Sequence, residues 1–237
     1  DVFRLGRVLH AGQLHDDAVG ALLLDHRLGH AEFVDAVMQG RDVLRDRGVL
    51  HPLRRLRLEA ARELELDAVR RFCPLQIGEL IDAVRQRGGL NVLVNNASEL
   101  GGIGSLQAFD VPRFGRLFPV NVGAPMVLTQ LALPLLVERR GLIVNITSDA
   151  AAAAYPGWGP YGASKAALEL LTRTLAVELR DRRVSAVIVD PGDMRTRMHQ
   201  EAFPGQDISD RPLPEVTAPF WNWLFGQAPD DIHGQRF

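Results

Sequence analysis

Three short apolar runs constrain this chain most: "LNVLVNNAS" (90–98), "GLIVNITS" (141–148) and "RVSAVIVDPG" (183–192). Each reads as a buried strand that ends in a turn. Helical patterns lie around them. "IGELIDAVRQRG" spaces Ile77, Leu80, Ile81 and Val84 for one face, and "PVNVGAPMVLTQLALPLLVERR" reads as a long apolar helix. "YGASKAALELLTRTLAVELRD" sets Leu168, Leu171, Leu175 and Leu179 on one side. Helices alternating with apolar strands predict an α/β fold, a doubly wound parallel sheet with helices on both faces. Sites in such sheets lie at the carboxyl ends of the strands, where the turns "NNAS", "ITSD" and "DPGD" all fall.

The regular pattern starts only near residue 76. Residues 1–75 contain no Ser, Thr, Asn, Ile, Lys, Tyr or Trp, but hold 15 Leu, 12 Arg and five of the seven His. Turn chemistry is poor there, because Ser and Asn are missing and the glycines are isolated. The clearest expected element is a helix over 53–72, "LRRLRLEAARELELDAVRRF". Residues 1–75 are therefore read as an atypical N-terminal segment, and 76–237 as a regularly patterned core. The composition before residue 75 resembles GC-rich DNA translated in a wrong frame, and a divergent N-terminal domain is the alternative. The single cysteine, Cys73, excludes an internal disulfide framework and fits a reducing cytoplasm. A net charge of -2 predicts no strong attraction to nucleic acid or an anionic membrane. The N-terminus has no signal-peptide pattern, and the apolar stretch 119–137 is expected as a buried or interface helix rather than a membrane span.

Chemistry concentrates around "YGASK" (161–165). Lys165 is the only lysine in the chain, and it follows one of two tyrosines by four residues. On a helix these two share a face. An ammonium beside the Tyr161 phenol is expected to lower its ordinary pKa of about 10 and make it an acid/base near neutrality. Arginine is a poorer replacement, since it stays protonated and presents a planar fork. Ser148, thirteen residues before Tyr161, ends a strand, where its hydroxyl could polarise a substrate carbonyl or merely cap a turn. Asn121 begins the long helix as a cap or a buried amide.

"NNA", Asn121, Ser148, "YGASK" and "DPGDMRT", in this order and spacing, resemble the short-chain dehydrogenase/reductase family over about residues 76–237. The resemblance implies a Rossmann-like fold with a bound nicotinamide dinucleotide, NAD or NADP. It implies Tyr161 as general acid/base, Lys165 on the tyrosine and the nicotinamide ribose, and Ser148 on the carbonyl. Asn121 would fix a water that links Lys165 to solvent. Asn95 and Ala97 would line the middle of the cofactor, with Pro191, Gly192 and Thr196 near the nicotinamide. Metal is not expected. A homodimer or homotetramer through the helices 119–137 and 161–180 is also implied.

The chain departs from the family in one large respect and several small ones. No TGxxxGxG turn for the pyrophosphate occurs. No second strand ends in a residue that would choose NAD or NADP, although Asp67 could stand near the adenine. Ser98 occupies the place where the family usually has Gly, and "HGQRF" leaves the last strand short. Met194, Met198, Phe203, Trp221 and Trp223 could form a lid over the substrate; Phe220, Trp221 and Trp223 could equally pack a C-terminal helix on the core. Two functions follow. One is a hydride-transferring oxidoreductase acting on a small alcohol or carbonyl. The other is a non-catalytic or damaged relative that cannot hold the dinucleotide.

Overall fold

The computed structural model describes residues 8–10, 21–24 and 74–237. The helix expected over 53–72, Asp67 and Cys73 lie outside the described residues. The described elements are β1 (Val8–His10), β2 (Ala21–Leu24), α1 (Pro74–Gln86), β3 (Val92–Asn95), α2 (Val111–Phe118), α3 (Ala124–Arg139), β4 (Leu142–Ile146), α4 (Gly159–Leu179), β5 (Ser185–Val189), α5 (Arg197–Ala202), α6 (Ala218–Gly226) and α7 (Pro229–Ile232). The strands form one sheet in the order β1-β2-β3-β4-β5.

The three strands read from the sequence make the parallel core. β3 pairs with β4, and β4 with β5, both parallel, with Val94 opposite Val144 and Val144 opposite Val187. All three are buried along their whole length, which is why they read as unbroken apolar runs. Val92, Val94, Leu142, Val144, Val187 and Val189 face one side and pack on Trp221, Leu224 and Phe225 of α6 and Ile232 of α7. Leu93, Ile143 and Ala186 face the other side, covered by α1, α3 and α4. The alternation is the period-2 geometry of a strand. Helices on both faces follow from it.

The N-terminal strands break this rule. β1 pairs antiparallel with β2, and β2 antiparallel with β3, placing Ala21 opposite Asn95. The sheet is thus mixed, and its non-parallel part lies in the segment expected to be atypical. At the other edge, residues 235–237 run parallel to β5. Ile188 N–H donates to the Gln235 carbonyl and Asp190 N–H to the Phe237 carbonyl. The pairing is an isolated bridge between Ile188 and Arg236 rather than a further strand.

α2 and α3 form one continuous helix joined through a π-turn at Pro119–Gly123, where Ala124 N–H donates to the Pro119 carbonyl. Pro119 and Pro125 bracket the turn, and neither has an N–H to give to the regular ladder, so the helix widens there. Among the described residues this helix alone is long and apolar enough to cross a membrane. It packs instead through Leu128, Ala132, Leu135 and Leu136 into the sheet-covering cluster. Trp221 is a core residue under the sheet rather than part of a lid, while Met198 and Phe203 pack beside Tyr161.

Candidate active site

Four chain segments converge at the carboxyl ends of β3, β4 and β5. β3 delivers Asn95 and the turn Asn96–Glu99. The π-turn delivers Asn121. β4 ends in Ile146–Ser148, and α4 brings Tyr161, Ser164 and Lys165. α4 approaches this closely because residue 162 is glycine: a Cβ there would lie 2.4 Å from the Ala150 carbonyl oxygen. That contact seats the first turn of α4 directly on the turn that begins with Ser148.

Asn121 is fully buried and uses its whole amide. Its Oδ1 accepts from Glu99 N–H at 2.7 Å and from Ser98 Oγ at 3.3 Å. Its Nδ2 donates to the Glu99 carbonyl and to Ser164 Oγ, each at 2.9 Å. Ser164 in turn donates to the Tyr161 carbonyl at 2.7 Å. Asn121 therefore ties the β3 turn to the "YGASK" helix. Ser164 and Ser98, which no motif singled out as site residues, are the connecting hydroxyls.

Lys165 is not a solvated helix lysine. It is 2 % exposed, and its Nζ donates to the Ile146 carbonyl at 2.9 Å. Nζ stands 5.7 Å from the centre of the Tyr161 ring. Burial lowers its pKa to about 8, opposed by the negative charge of Asp190. Tyr161 does not follow the expectation of a lowered phenol. Burial pushes it up to about 12, while hydrogen bonding by the Ser98 and Ser148 hydroxyls pulls it the other way. Desolvation of the phenolate dominates here, and the ammonium is directed at a backbone carbonyl.

Ser148 caps a turn, one of its two expected readings. Its Oγ caps the turn Asp149–Ala151 by accepting from Ala150 N–H at 3.2 Å, and it donates to Asp149 Oδ1 at 3.0 Å. It also faces the Tyr161 phenol. The Asp149 carboxyl is held below the usual carboxylate range, first by the Tyr155 hydroxyl, which donates to it at 2.7 Å.

Beneath the site runs a polar ladder. Asn95 Nδ2 donates to Asn145 Oδ1 at 2.7 Å, and Asn145 Nδ2 donates to Thr172 Oγ1 at 2.7 Å. These two asparagines are register partners across β3 and β4. The buried Asn95 Oδ1 has no hydrogen-bond partner among the described residues. Ala97 is half-buried beside it. On the β5 side, Gly192 follows Pro191 at φ +72° with open space where a Cβ would project, and its N–H donates to Asp190 Oδ1 at 3.1 Å. Thr196 Oγ1 accepts from His199 N–H and caps α5, whose Met198 and Ala202, with Phe203 after it, pack in the cluster around Tyr161. Among the described residues no group of His, Cys, Asp and Glu is placed to hold a metal.

A Rossmann-like α/β protein with a Ser, Tyr and Lys cluster at its strand ends is what the fold and site define. The family model for short chain dehydrogenases matches residues 75–207, and the chain belongs to that family of oxidoreductases. It is 36% identical over 115 residues to dehydrogenase/reductase SDR family member 4 of Homo sapiens, covering 48% of this chain and 41% of that protein. It is 40% identical over 124 residues to L-xylo-3-hexulose reductase of Hypocrea jecorina, covering 48% and 39%. The chain thus spans well under two thirds of the length of these relatives. A short chain dehydrogenase of Escherichia coli CFT073, solved with NADPH, superposes at a TM-score of 0.65 and 30% identity over 69% of each chain.

Proposed function

We propose that this chain is an NAD(P)-dependent oxidoreductase that transfers a hydride between a nicotinamide and an alcohol or carbonyl substrate, with Tyr161 as general acid/base. The observation that carries this reading is the convergence of Ser98, Asn121, Ser148, Tyr161 and Lys165 at the carboxyl ends of β3 and β4. The bound nicotinamide supplies or accepts the hydride. The chain's own residues manage one proton. With its phenol well above neutrality, Tyr161 holds its proton and is poised to donate it to a carbonyl oxygen, the reductive direction. The Ser148 hydroxyl, a rotor with donor and acceptor capacity, orients that oxygen. Lys165, titrating at about 8, exchanges a proton within reach of neutral pH. Asn121 fixes the loop and helix on which these groups ride.

The residues present suit the nicotinamide end of a dinucleotide. Asn95 offers a buried acceptor without a partner among the described residues, Ala97 lies half-buried beside it, Gly192 leaves space for close approach, and Pro191 and Thr196 shape the β5 exit. No TGxxxGxG turn is present for the pyrophosphate. This favours a second reading, a non-catalytic relative that cannot hold the dinucleotide, and the antiparallel run of β1 and β2 beside β3 points the same way. Fluorescence titration with NADH and NADPH separates the two. Binding of either, followed by loss of about 10²–10⁴-fold in turnover in Tyr161→Phe, supports the first. No binding at millimolar concentration establishes the second.

We also take residues 1–75 as an atypical N-terminal segment and 76–237 as the catalytic core, since the family match begins at residue 75, with β1 and β2 of that segment joined to the core's sheet. Self-association through α3 and α4 is supported by exposed Leu131, Val137, Leu170 and Val177 on those helices. Sedimentation as a monomer would overturn it.

A further inference from the structure

We propose that Arg236 is a positioning residue for the Lys165–Ser148 segment, acting through the buried carboxylate of Glu169. This rests on the oxidoreductase reading for its purpose, though not for its geometry. Arg236 Nε donates to Glu169 Oε1 at 3.0 Å, and one terminal nitrogen reaches Asp190 Oδ2 at 3.0 Å and the Ser148 carbonyl at 3.5 Å. One guanidinium therefore joins α4, the end of β4 and the end of β5. Its planar fork suits this task, as it meets several acceptors in fixed directions.

Glu169 is 5 % exposed and lies one helical turn after Lys165. Its Oε1 also accepts from Thr147 Oγ1 at 2.9 Å, and its Oε2 from Arg173 at 3.1 Å. Thr147 sits between Ile146, whose carbonyl receives the Lys165 ammonium, and Ser148. The pair thus fixes the backbone 146–148 from behind, between the two groups whose separation the chemistry needs. A buried carboxylate needs such partners: burial alone pushes Glu169 up, and Arg236, Thr147 and Arg173 together bring it below its ordinary value. The groups facing Lys165 are the Asp190 carboxylate and the Tyr161 phenol, and Arg236 holds the first of these directly.

Lys165 being the only lysine, a full-length protein labelled with ¹³Cε-lysine gives one lysine resonance, and it reads the clamp without cofactor, substrate or turnover. Arg236→Gln is expected to displace that resonance and its titration midpoint, with thermal melting confirming a folded chain. Arg173→Gln removes an equal charge from Glu169 but reaches neither Ser148 nor Asp190, and is expected to leave the resonance in place. Should Arg236→Gln not fold, Thr147→Val removes only the hydroxyl between Glu169 and segment 146–148 and is expected to move the same signal. An unmoved resonance in the folded Arg236 or Thr147 variant overturns the proposal, and so do equal displacements in the two arginine variants. Failure of dinucleotide binding leaves these spectra unaffected, so the two readings fail separately.

Discussion

The Lys165 ammonium, carried on α4, donates to the Ile146 carbonyl at the last residue of β4, at 2.9 Å and with almost no exposure to solvent. Removing an ammonium from water costs several kcal/mol. A chain that otherwise uses arginine for every cation keeps this expensive lysine at the one place where helix, strand end and phenol meet.

That burial has a pH signature. In the folded chain Lys165 titrates at about 8, against about 10.4 when unfolded. Below about pH 8 both states hold the proton and the burial cost is present in full. Between these values the unfolded state binds more protons, so stability rises with pH. Tyr161, pushed up to about 12, has the opposite effect above pH ~10, where the unfolded chain ionises first. Thermal melts from pH 7 to ~10 should therefore show wild type gaining on Lys165→Met as pH rises. A constant gap between the two would contradict the buried, depressed ammonium.

The serines around the phenol should move its titration in a known direction. Ser98 and Ser148 both favour the phenolate by hydrogen bonding. Ser98→Ala and Ser148→Ala should each push Tyr161 ionisation further up. The chain has two tyrosines, so an ultraviolet difference titration in a Tyr155→Phe background reports Tyr161 alone. On the proposed oxidoreductase mechanism, Ser148→Ala should cost about 10²–10³-fold in turnover, as for loss of a donor aimed at a developing oxyanion. Ser98→Ala should cost less, since Ser98 lies on the Asn121 side of the phenol.

Legibility in the sequence followed locality. Tyr161 and Lys165 could be paired from helix spacing alone and Ser148 placed at a strand end, whereas Asn95 enters the site only through the family resemblance that "NNA" carries. The Asn95–Asn145–Thr172 ladder needs the register of β3 on β4, which no single segment encodes. Glu169 and Arg236 are 67 residues apart and carry no motif. The direction of the Tyr161 shift depends on burial competing with charge, and burial of one ring is a property of the packed whole. β1 and β2 come from a segment with poor turn chemistry and no clear periodicity, so their antiparallel pairing had no local signal.

Asn121 offers a sign-specific test. Its Nδ2 faces two oxygens, the Glu99 carbonyl and Ser164 Oγ. Asn121→Asp keeps the shape but points a carboxylate oxygen at that carbonyl. At neutral pH this should destabilise the protein by about 2–4 kcal/mol, the range for a buried polar group set against the wrong partner. Protonating the aspartate restores a donor. Its folded pKa is therefore raised, and the lost stability should return in part as pH falls through that value. Urea denaturation across pH 5–8 relative to wild type checks the trend. A penalty independent of pH would mean that the amide does not bridge the β3 turn to α4.

Glycine at 162 is the contact on which α4 and the Ser148 turn depend. Elsewhere in a helix, replacing glycine by alanine gains up to about 1 kcal/mol. Gly115 in α2 is such a case, with nothing within 4 Å of the place a Cβ would take, and Gly115→Ala should stabilise the protein by that order. At Gly162 the same methyl would sit 2.4 Å from the Ala150 carbonyl oxygen, a backbone atom that cannot swing aside like a side chain. The helix must back away from the turn, at a cost of about 1–3 kcal/mol for overpacking. Because Tyr161 and Lys165 flank this residue, the same displacement should separate them from Ser148 and Ile146. Gly162→Ala is therefore expected to lower the melting temperature and to reduce kcat more than KM changes, while Gly115→Ala raises the first and leaves the second alone. If Gly162→Ala melted higher than wild type, the close seating of α4 on the Ser148 turn would be wrong.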